Sequence, residues 1–148
     1  MTAVERRAPP ARRADFLHWS TVATRWHDND IYGHINNVVY YSYFDTVVNA
    51  YAVAQGALDI HAGDAIGIVV ESGCRYHAPL AFPQCIEVGL RVDRIGRSSI
   101  RYSIGLFSTG DDTAAAEGQF VHVMVDRLTR KPVDVPPRLR QSLLEIAV

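Results

Sequence analysis

The sequence predicts an α+β fold in which a curved, antiparallel sheet of five strands wraps around one long central helix. Three observations support this prediction. An apolar stripe recurs at spacings of three and four residues after residue 38, and a stretch rich in β-branched and aromatic residues precedes it. Four further stretches after residue 66 alternate between apolar and polar side chains. A helix with a broad apolar face has to be buried against a sheet, and the sheet has to curve to cover it.

Composition limits the class of protein. The 148 residues suit one domain, and we predict a flexible arm over residues 1–14 followed by a single domain over residues 15–148. The arm carries four arginines around two adjacent prolines and too little apolar surface to offset the entropy lost on ordering it. The formal net charge of -1 argues against a nucleic-acid partner, since such proteins normally show a clustered basic excess. We therefore expect a small-molecule partner.

Cysteine usage and hydropathy predict a compartment. Cys74 and Cys85 form no CxxC pair and no secretory leader is visible, so we expect free thiols in a cytoplasmic protein. No apolar run reaches the roughly 18 residues that a membrane helix needs, and no membrane association is expected.

The N-terminal half contains the first strand and the helix. Residues 16–26 supply the β-branched and aromatic side chains of the strand. After a polar loop comes a helix of about 18 residues, which is about 27 Å long. Gly56 is placed to end this helix. Its predicted buried stripe consists of Tyr40, Tyr43, Phe44, Val47, Val48, Tyr51 and Ala54.

Four strands follow the helix. In the first, Ile66, Ile68, Val70, Ser72, Cys74 and Tyr76 are predicted to share one face. The next two strands flank residues 96–98 and form a hairpin. In the last strand Phe120, His122 and Met124 share a face, and a short helix is expected from about residue 137. A single sheet leaves an edge and an outer face partly uncovered, which favours dimerisation.

The loop before the helix carries a recognisable motif. Asp28-Asn29-Asp30, then Gly33-His34-Ile35-Asn36-Asn37 and Tyr40, resemble the D-x-D-x-x-G-H-x-N-N-x-x-Y signature of the 4-hydroxybenzoyl-CoA thioesterase family of hotdog-fold proteins. The resemblance continues over residues 74–79, 94–99 and 116–126, and in all spans about residues 21–140. The chain departs from the family pattern at Pro83-Gln84, where Gly-Asp is usual, and at Asp45-Thr46, where Glu-Glu or Glu-Ala is common.

This resemblance implies an acyl-CoA thioesterase that hydrolyses the thioester of coenzyme A or of an acyl-carrier protein. It also implies a homodimer or homotetramer with the active site at the subunit interface. In the family the second Asp of the D-x-D pair is the catalytic carboxylate, and this role falls on Asp30. No organic cofactor is expected.

Thioester chemistry agrees with this assignment. A thioester carbonyl is electrophilic and its thiolate leaves readily, so one carboxylate together with polarisation of the carbonyl is sufficient. Asp30 would either attack the carbonyl or act as general base on water, and the sequence leaves both routes open. Backbone N–H groups at the helix start, near Asn37, are candidates for stabilising the oxyanion, although Asn36 or Asn37 also suits the helix N-cap. His34 is the third catalytic candidate, with a role in orienting the loop or lining the pocket.

Other residues are candidates for substrate binding. Gly33 and Asn36 lie beside the catalytic candidates, and Arg97 and Ser98 in the hairpin are candidates for binding the phosphates of coenzyme A. Further cations for the same role are Arg127, Arg130 and Lys131. No metal site is expected, because the His and Asp side chains of one short loop rarely converge on a metal.

Two other functions remain open. Hotdog hydratases and dehydratases, which act on enoyl or hydroxyacyl thioesters, also use an Asp and a His on a loop before the helix, and Asp30 and His34 match that pairing. A non-catalytic acyl-thioester sensor would keep the pocket without needing Asp30. The chain has no GxSxG motif, which argues against a serine-triad esterase.

Overall fold

A computed structural model describes residues 7–148 and contains one antiparallel sheet with two α-helices in that range. The strands are β1 (His18–Ala23), β2 (Ala65–Tyr76), β3 (Cys85–Ile95), β4 (Ser99–Phe107) and β5 (Ala116–Asp126). The helices are α1 (Val39–Ala54) and α2 (Pro137–Leu144), and two 3-10 turns cover Arg13–Asp15 and Trp26–Asp28. The strand order is β1-β3-β4-β5-β2. The predicted five-stranded antiparallel sheet is therefore confirmed, with β1 and β2 at its edges.

Helix α1 packs its apolar stripe into the main core. The six aromatic and valine residues predicted for this stripe are buried, whereas Ala54 is exposed and Ala52 is buried in its place. On the sheet, a methyl group added at Gly118 of β5 would overlap the ring of Phe44. The absence of a side chain at Gly118 therefore allows α1 to approach β5 closely.

Both ends of α1 have a local cause. At the C-terminal end Gly56 has φ of 66°, its N–H donates to the carbonyl of Val53, and the N–H of Ala57 donates to the carbonyl of Ala52. This is a Schellman motif, and it confirms Gly56 as the terminator. At the other end the N-cap is Val38, with no side-chain cap. The prediction of Asn36 or Asn37 as N-cap is wrong, because the chain makes a separate turn over these residues before the helix begins.

The face assignment predicted for β2 is also wrong in part. Gly67 and Val69 pair with Met124 and His122 of β5, but the register shifts between Val69 and Glu71. Beyond this bulge the residues that share the inner face are Ser72, Cys74 and Tyr76, which pair with Phe120, Gly118 and Ala116. The extra residue reverses the alternation, so the even-numbered residues before and after the bulge point to opposite faces.

The N-terminal segment contacts the outer face of the sheet. The ring of Phe16 packs over Gly89 and Gly105, where a side chain on either glycine would overlap it. The guanidinium of Arg13 donates to both carboxylate oxygens of Glu87, at 3.0 and 3.1 Å. Of the arm predicted over residues 1–14, the first six residues lie outside the described residues, and its flexibility stays a prediction.

Three further features complete the fold. Strand β1 is shorter than predicted because the chain turns at Thr24, whose hydroxyl donates to the carbonyl of Gln84. Cys74 and Cys85 are free thiols. Between residues 7 and 148, neither helix has the length and apolar character needed to cross a membrane.

Candidate active site

The loop between β1 and α1 is a tight, internally bonded turn. Asn29 and Ile35 pair as an antiparallel bridge, and the N–H of Asp30 donates to the carbonyl of His34 at 2.8 Å. The N–H of Gly33 donates to the carbonyl of Asp30 at 3.1 Å, with Gly33 at φ of 82°. A side chain is disfavoured at this φ, so glycine allows the loop to reverse between Asp30 and His34.

Asp28 anchors the loop to the core. Its carboxylate has 0% exposure, accepts a 2.6 Å hydrogen bond from the Tyr43 hydroxyl, and accepts both the N–H and the Nε–H of Arg25. Burial raises the pKa of this carboxyl, but the hydrogen bonds from Tyr43 and Arg25 together outweigh burial and hold the pKa below its ordinary value. Asp28 is therefore a charged structural residue at pH 7, fully engaged by its neighbours.

Asp30 lies at the wall of a cleft of about 450 Å³. The cleft is lined by Asp30, His34, Ile35, Asn37, Tyr40, Tyr76, His77, Ala78 and Pro79. The Oδ1 atom of Asp30 accepts the N–H of Tyr32 at 2.8 Å, which fixes the orientation of the half-buried carboxylate. The structure thus brings together the three residues that the sequence nominates for catalysis, namely Asp30, His34 and Asn37.

Asn37 also lines this cleft. The neighbouring N–H groups are occupied, since that of Val38 donates to Oδ1 of Asn36 at 3.3 Å and that of Val39 donates to the carbonyl of Asn36 at 2.9 Å. The N–H of Asn37 makes no hydrogen bond with any part of the chain that the structure describes. An unpaired backbone N–H is the kind of donor that stabilises a developing oxyanion, and Asp30 lines the same cleft.

Tyr76 holds the opposite wall of the cleft against the loop. Its hydroxyl donates to the carbonyl of Asn37 at 3.0 Å, and its ring meets that of Tyr40 edge-on with centroids 4.9 Å apart. Burial, with Cys74 beside it, raises the pKa of the Tyr76 hydroxyl far above its usual range, so the hydroxyl remains a neutral donor. The sequence alone assigns no role to Tyr76, although the position of this residue at the end of a predicted strand is a usable signal.

His77 lines the same cleft, but its imidazole is engaged elsewhere. Its Nε2 atom lies 2.6 Å from Oε2 of Glu117, and Glu117 lies on the face of β5 opposite Gly118. Glu117 also forms an ion pair with Arg75 at 3.7 Å. This cluster ties the end of β2 to β5.

The predicted substrate-binding residues do not all meet in this cleft. Gly33 lines a second cleft of about 480 Å³ together with Trp26, Ile31 and Phe82, and Asp30 lines both clefts. Asn36 orders the turn through its side chain and carbonyl rather than lining either cleft.

The hairpin residues Arg97 and Ser98 lie near the other end of the sheet. Ser99 pairs with Val123 of β5, whereas Tyr76 pairs with Ala116, seven residues away. That separation corresponds to about 24 Å along the strand. Within one subunit Arg97 and Ser98 therefore do not reach the cleft.

Several of the candidate cations have protein partners. The Nε atom of Arg97 donates to Asp134 at 2.6 Å, and both side chains are well exposed. The guanidinium of Arg127 donates to the backbone carbonyls of Gly63 and Ile60. Arg127 therefore holds the start of β2, and Arg97 has a single exposed acidic partner.

Comparisons with known proteins agree with the fold. Residues 24–143 match the model of the thioesterase-like superfamily. PA5185 from Pseudomonas aeruginosa strain PAO1 is 52% identical with a TM-score of 0.92, and the match covers 94% of this chain and 97% of that one. A search of curated proteins finds no match.

Two more distant structures carry thioesterase names. PA2801 of Pseudomonas aeruginosa, described as a proposed thioesterase, is 28% identical with a TM-score of 0.79, covering 86% of this chain and 98% of that one. Slr0204, a 1,4-dihydroxy-2-naphthoyl-CoA thioesterase from Synechocystis, is 15% identical with a TM-score of 0.77, covering 85% of this chain and 94% of that one. At such an identity the second likeness concerns the fold alone.

Proposed function

The chain belongs to the thioesterase-like superfamily, and from this premise we propose that it is an acyl-CoA thioesterase. It hydrolyses the thioester of an acyl-CoA, or of an acyl-carrier protein, to a free acid and a thiol. Within the superfamily we assign it to the group that resembles 4-hydroxybenzoyl-CoA thioesterase, on the loop motif that contains Asp30, Gly33 and His34.

One observation carries the proposal. Asp30 and Asn37 line the same cleft, and the backbone N–H of Asn37 has no partner in the part of the chain that the structure describes. A thioester carbonyl placed there meets a base or nucleophile on one side and a hydrogen-bond donor for its oxygen on the other. These are the two groups that acyl transfer to water needs.

In the general-base route, Asp30 takes a proton from water as the water oxygen bonds to the carbonyl carbon. The negative charge that develops on the carbonyl oxygen accepts the N–H of Asn37. The tetrahedral intermediate then re-forms its carbonyl and breaks the carbon–sulfur bond, and the thiolate leaves and takes up a proton. In the nucleophilic route, Asp30 bonds to the carbonyl carbon, the thiolate leaves, and water hydrolyses the resulting anhydride.

We further propose that the working form is a homodimer or homotetramer, joined in part through β2. This strand is an edge of the sheet and is 12 residues long. It exposes Ile68, Val69 and Val70, at 38%, 46% and 56%. A long apolar edge strand is a site for pairing with another chain.

In such an assembly Arg97 and Ser98 of one subunit would lie at the cleft of another and contact the phosphates of coenzyme A. No organic or metal cofactor is required by this chemistry, and the proposed compartment is the cytoplasm.

Thiol release tests the proposal directly. Wild-type protein is mixed with short, long and aromatic acyl-CoAs, and free thiol is followed with a chromogenic disulfide. We expect release from at least one class above the rate without protein. Absence of release from every substrate would reject the hydrolase, and water addition to enoyl-CoA would then be measured, because Asp30 and His34 line one cleft as a hydratase would require.

A further inference from the structure

His122 is a buried imidazole with unused hydrogen-bonding capacity. The residue is 6% exposed, and its Nε2 atom is enclosed without a hydrogen-bond partner in the part of the chain that the structure describes. Buried polar side-chain atoms are nearly always paired with protein, water or ligand. An unpaired ring nitrogen inside a core therefore points to a missing partner.

The surroundings of His122 keep the ring neutral. The ring of Tyr102 lies 5.2 Å away and that of Phe120 lies 5.9 Å away, centroid to centroid. Burial lowers the pKa of the imidazole and outweighs the opposing effect of Asp45 on α1. A neutral imidazole has one donor and one acceptor nitrogen. A hydroxyl group, which both donates and accepts, suits such a ring whichever nitrogen carries the proton.

A small cavity adjoins the ring. Its volume is about 20 Å³, and it is lined by Val48, Asn49, Ala52, Leu58, Gly67, Tyr102, His122, Met124 and Leu139. This is room for about one water-sized group. The lining is apolar except for the side chains of Asn49, Tyr102 and His122, so one small polar group in the cavity would have polar side chains on part of its wall.

Gly67 keeps the β2 side of this cavity open. A methyl group added at Gly67 would lie 3.2 Å from Nδ1 of His122 and 3.4 Å from the sulfur of Met124. Gly67 itself is exposed. The missing side chain therefore leaves space beside the Nδ1 side of the imidazole.

Between this cavity and the candidate active site, two inner-face residues of β2 are exposed beside α1, and we call this strip the seam. On the inner face, His122 and Phe120 of β5 are buried at 6% and 3%, whereas their β2 partners, Val69 and Ser72, are exposed. Helix α1 thus covers β5 but leaves Val69 and Ser72 of β2 uncovered, whereas Cys74 and Tyr76, nearer the cleft, pack against the main core.

The distance between the cleft and the cavity follows from the positions of their lining residues on α1. Tyr40 lines the cleft and Asn49 lines the cavity, nine residues later on the same helix. At the rise of an α-helix these residues are about 14 Å apart. An extended acyl chain that begins at Asp30 would therefore bring a remote carbon, not one next to the thioester, to the cavity.

We propose that His122 and its cavity form a subsite for a hydroxyl group on the acyl chain, with the chain lying in the seam between α1 and β2. The favoured substrate class is then an acyl thioester that carries a hydroxyl group remote from the thioester carbon. This inference rests on the proposed thioesterase function, and it adds a substrate class to it. A bound water is the competing occupant of the cavity.

Selectivity for the hydroxyl group is the first test. kcat/KM is measured for pairs of acyl-CoAs of equal length, one saturated and one with a hydroxyl near the far end, over a series of chain lengths. We expect the hydroxylated member to be preferred by tenfold or more at one length, and the preference to fall to about one in His122→Phe. The phenyl group retains the ring packing with Tyr102 and Phe120. No preference in wild-type protein, or an unchanged preference in the variant, would overturn the subsite.

Two glycine variants separate access from folding. Gly67→Ala narrows the approach to His122, whereas a methyl group at Gly73 on the same strand meets nothing within 4 Å. We expect Gly67→Ala to reduce the hydroxyl preference at least threefold and Gly73→Ala to leave it unchanged. Equal effects of the two variants would contradict a specific opening at Gly67.

A binding measurement distinguishes failure of the subsite from failure of the hydrolase. Protein with ¹⁵N-labelled histidine is titrated with free hydroxylated and saturated fatty acids, and the His122 signals are assigned by their loss in His122→Phe. We expect larger shifts with the hydroxylated acid. Such shifts without hydrolysis of any thioester would reject the hydrolase and keep the subsite. Hydrolysis with equal or absent shifts would reject the subsite and leave water as the partner of His122. Absence of hydrolysis together with absence of shifts would reject the hydrolase and the subsite.

Discussion

The hydroxyl of Tyr43 donates a 2.6 Å hydrogen bond to Oδ2 of Asp28, a carboxylate with no exposure to solvent. This bond joins the first turns of α1 to the loop that carries Asp30. The same loop is held at its other end by the N–H of Asn36, which donates to the carbonyl of Asp28 at 2.8 Å. The position of the proposed catalytic carboxylate therefore depends on a buried charge two residues earlier.

Removing the Tyr43 hydroxyl should destabilise the protein. In Tyr43→Phe the buried Asp28 carboxylate keeps its bonds to Arg25 and loses the hydrogen bond from Tyr43. A hydrogen bond to a charged group typically contributes about 1.5–3 kcal/mol to stability. We expect the free energy of unfolding in urea at neutral pH to fall by that amount. Tyr32→Phe is the matched control, because Tyr32 is 85% exposed, and its change should stay within about 0.5 kcal/mol. Equal losses in the two variants would show that the Tyr43–Asp28 bond does not hold the loop.

Stability should decrease as the pH falls below about 6.5. Burial lowers the pKa of both His122 and His18 from the ordinary value of 6.5. Below that value the unfolded chain takes up protons that the folded chain does not. The free energy of unfolding therefore falls, by up to about 1.4 kcal/mol per pH unit for each group. The contribution of these two histidines stops changing once the pH has passed below their folded-state pKa values.

Urea titrations at pH 7.5, 6.5 and 5.5 measure this dependence. His122→Phe removes one of the two groups and should lose less stability between pH 6.5 and 5.5 than wild-type protein does. An identical loss in the variant would mean that His122 is not the group that titrates.

A charge on β2 should separate the subunits. Val70 is 56% exposed and lies at the bulge of this edge strand, so Val70→Lys places a cation in the proposed interface. We expect wild-type protein to sediment as a dimer or tetramer and Val70→Lys to sediment as a smaller species with reduced activity. Ile60→Lys, at a residue that is 61% exposed outside the strands, is the control and should leave the assembly intact. A monomeric wild-type protein with full thioesterase activity would contradict the interface.

Arg97 should matter for the nucleotide part of the substrate. If its guanidinium binds a phosphate of coenzyme A, Arg97→Gln should raise KM for an acyl-CoA about tenfold with little change in kcat, as expected for loss of a charge-assisted hydrogen bond. An acyl-pantetheine, which lacks the nucleotide, is the control substrate and should show no change. A rise in KM for both substrates, or for neither, would remove Arg97 from the phosphate site.

The fold was largely predictable because its patterns are local. The stripe from Tyr40 to Tyr51 repeats at helical spacing, and Gly56 supplies the positive φ that ends α1. The bulge in β2 was not predictable from alternation, because apolar residues run through Val69 and Val70 without a break. Only pairing with β5 fixes which of these two residues lies on the inner face of the sheet.

The site was predictable only where the motif is contiguous. Asp30, His34 and Asn37 lie within eight consecutive residues, so one local turn is enough to place them on one cleft. Tyr76 completes the cleft through a hydrogen bond to a residue 39 positions earlier, and such a contact depends on tertiary packing. Alternation places His122 with Phe120 and Met124, but the absence of a partner for its ring is visible only in three dimensions.

The central claim is that Asp30 performs thioester hydrolysis in a cleft shared with Asn37. The most direct test is the rate of thiol release by Asp30→Asn beside wild-type protein, on the best acyl-CoA of the panel, with folding checked by circular dichroism. Asp64→Asn is the matched control, because Asp64 is exposed and lies directly before the start of β2, whereas the cleft is at the other end of that strand. The account predicts a loss of about 100-fold or more in kcat for Asp30→Asn, the scale expected for removing an acid–base group, and no loss for the control. A folded Asp30→Asn protein that retains wild-type kcat would contradict it.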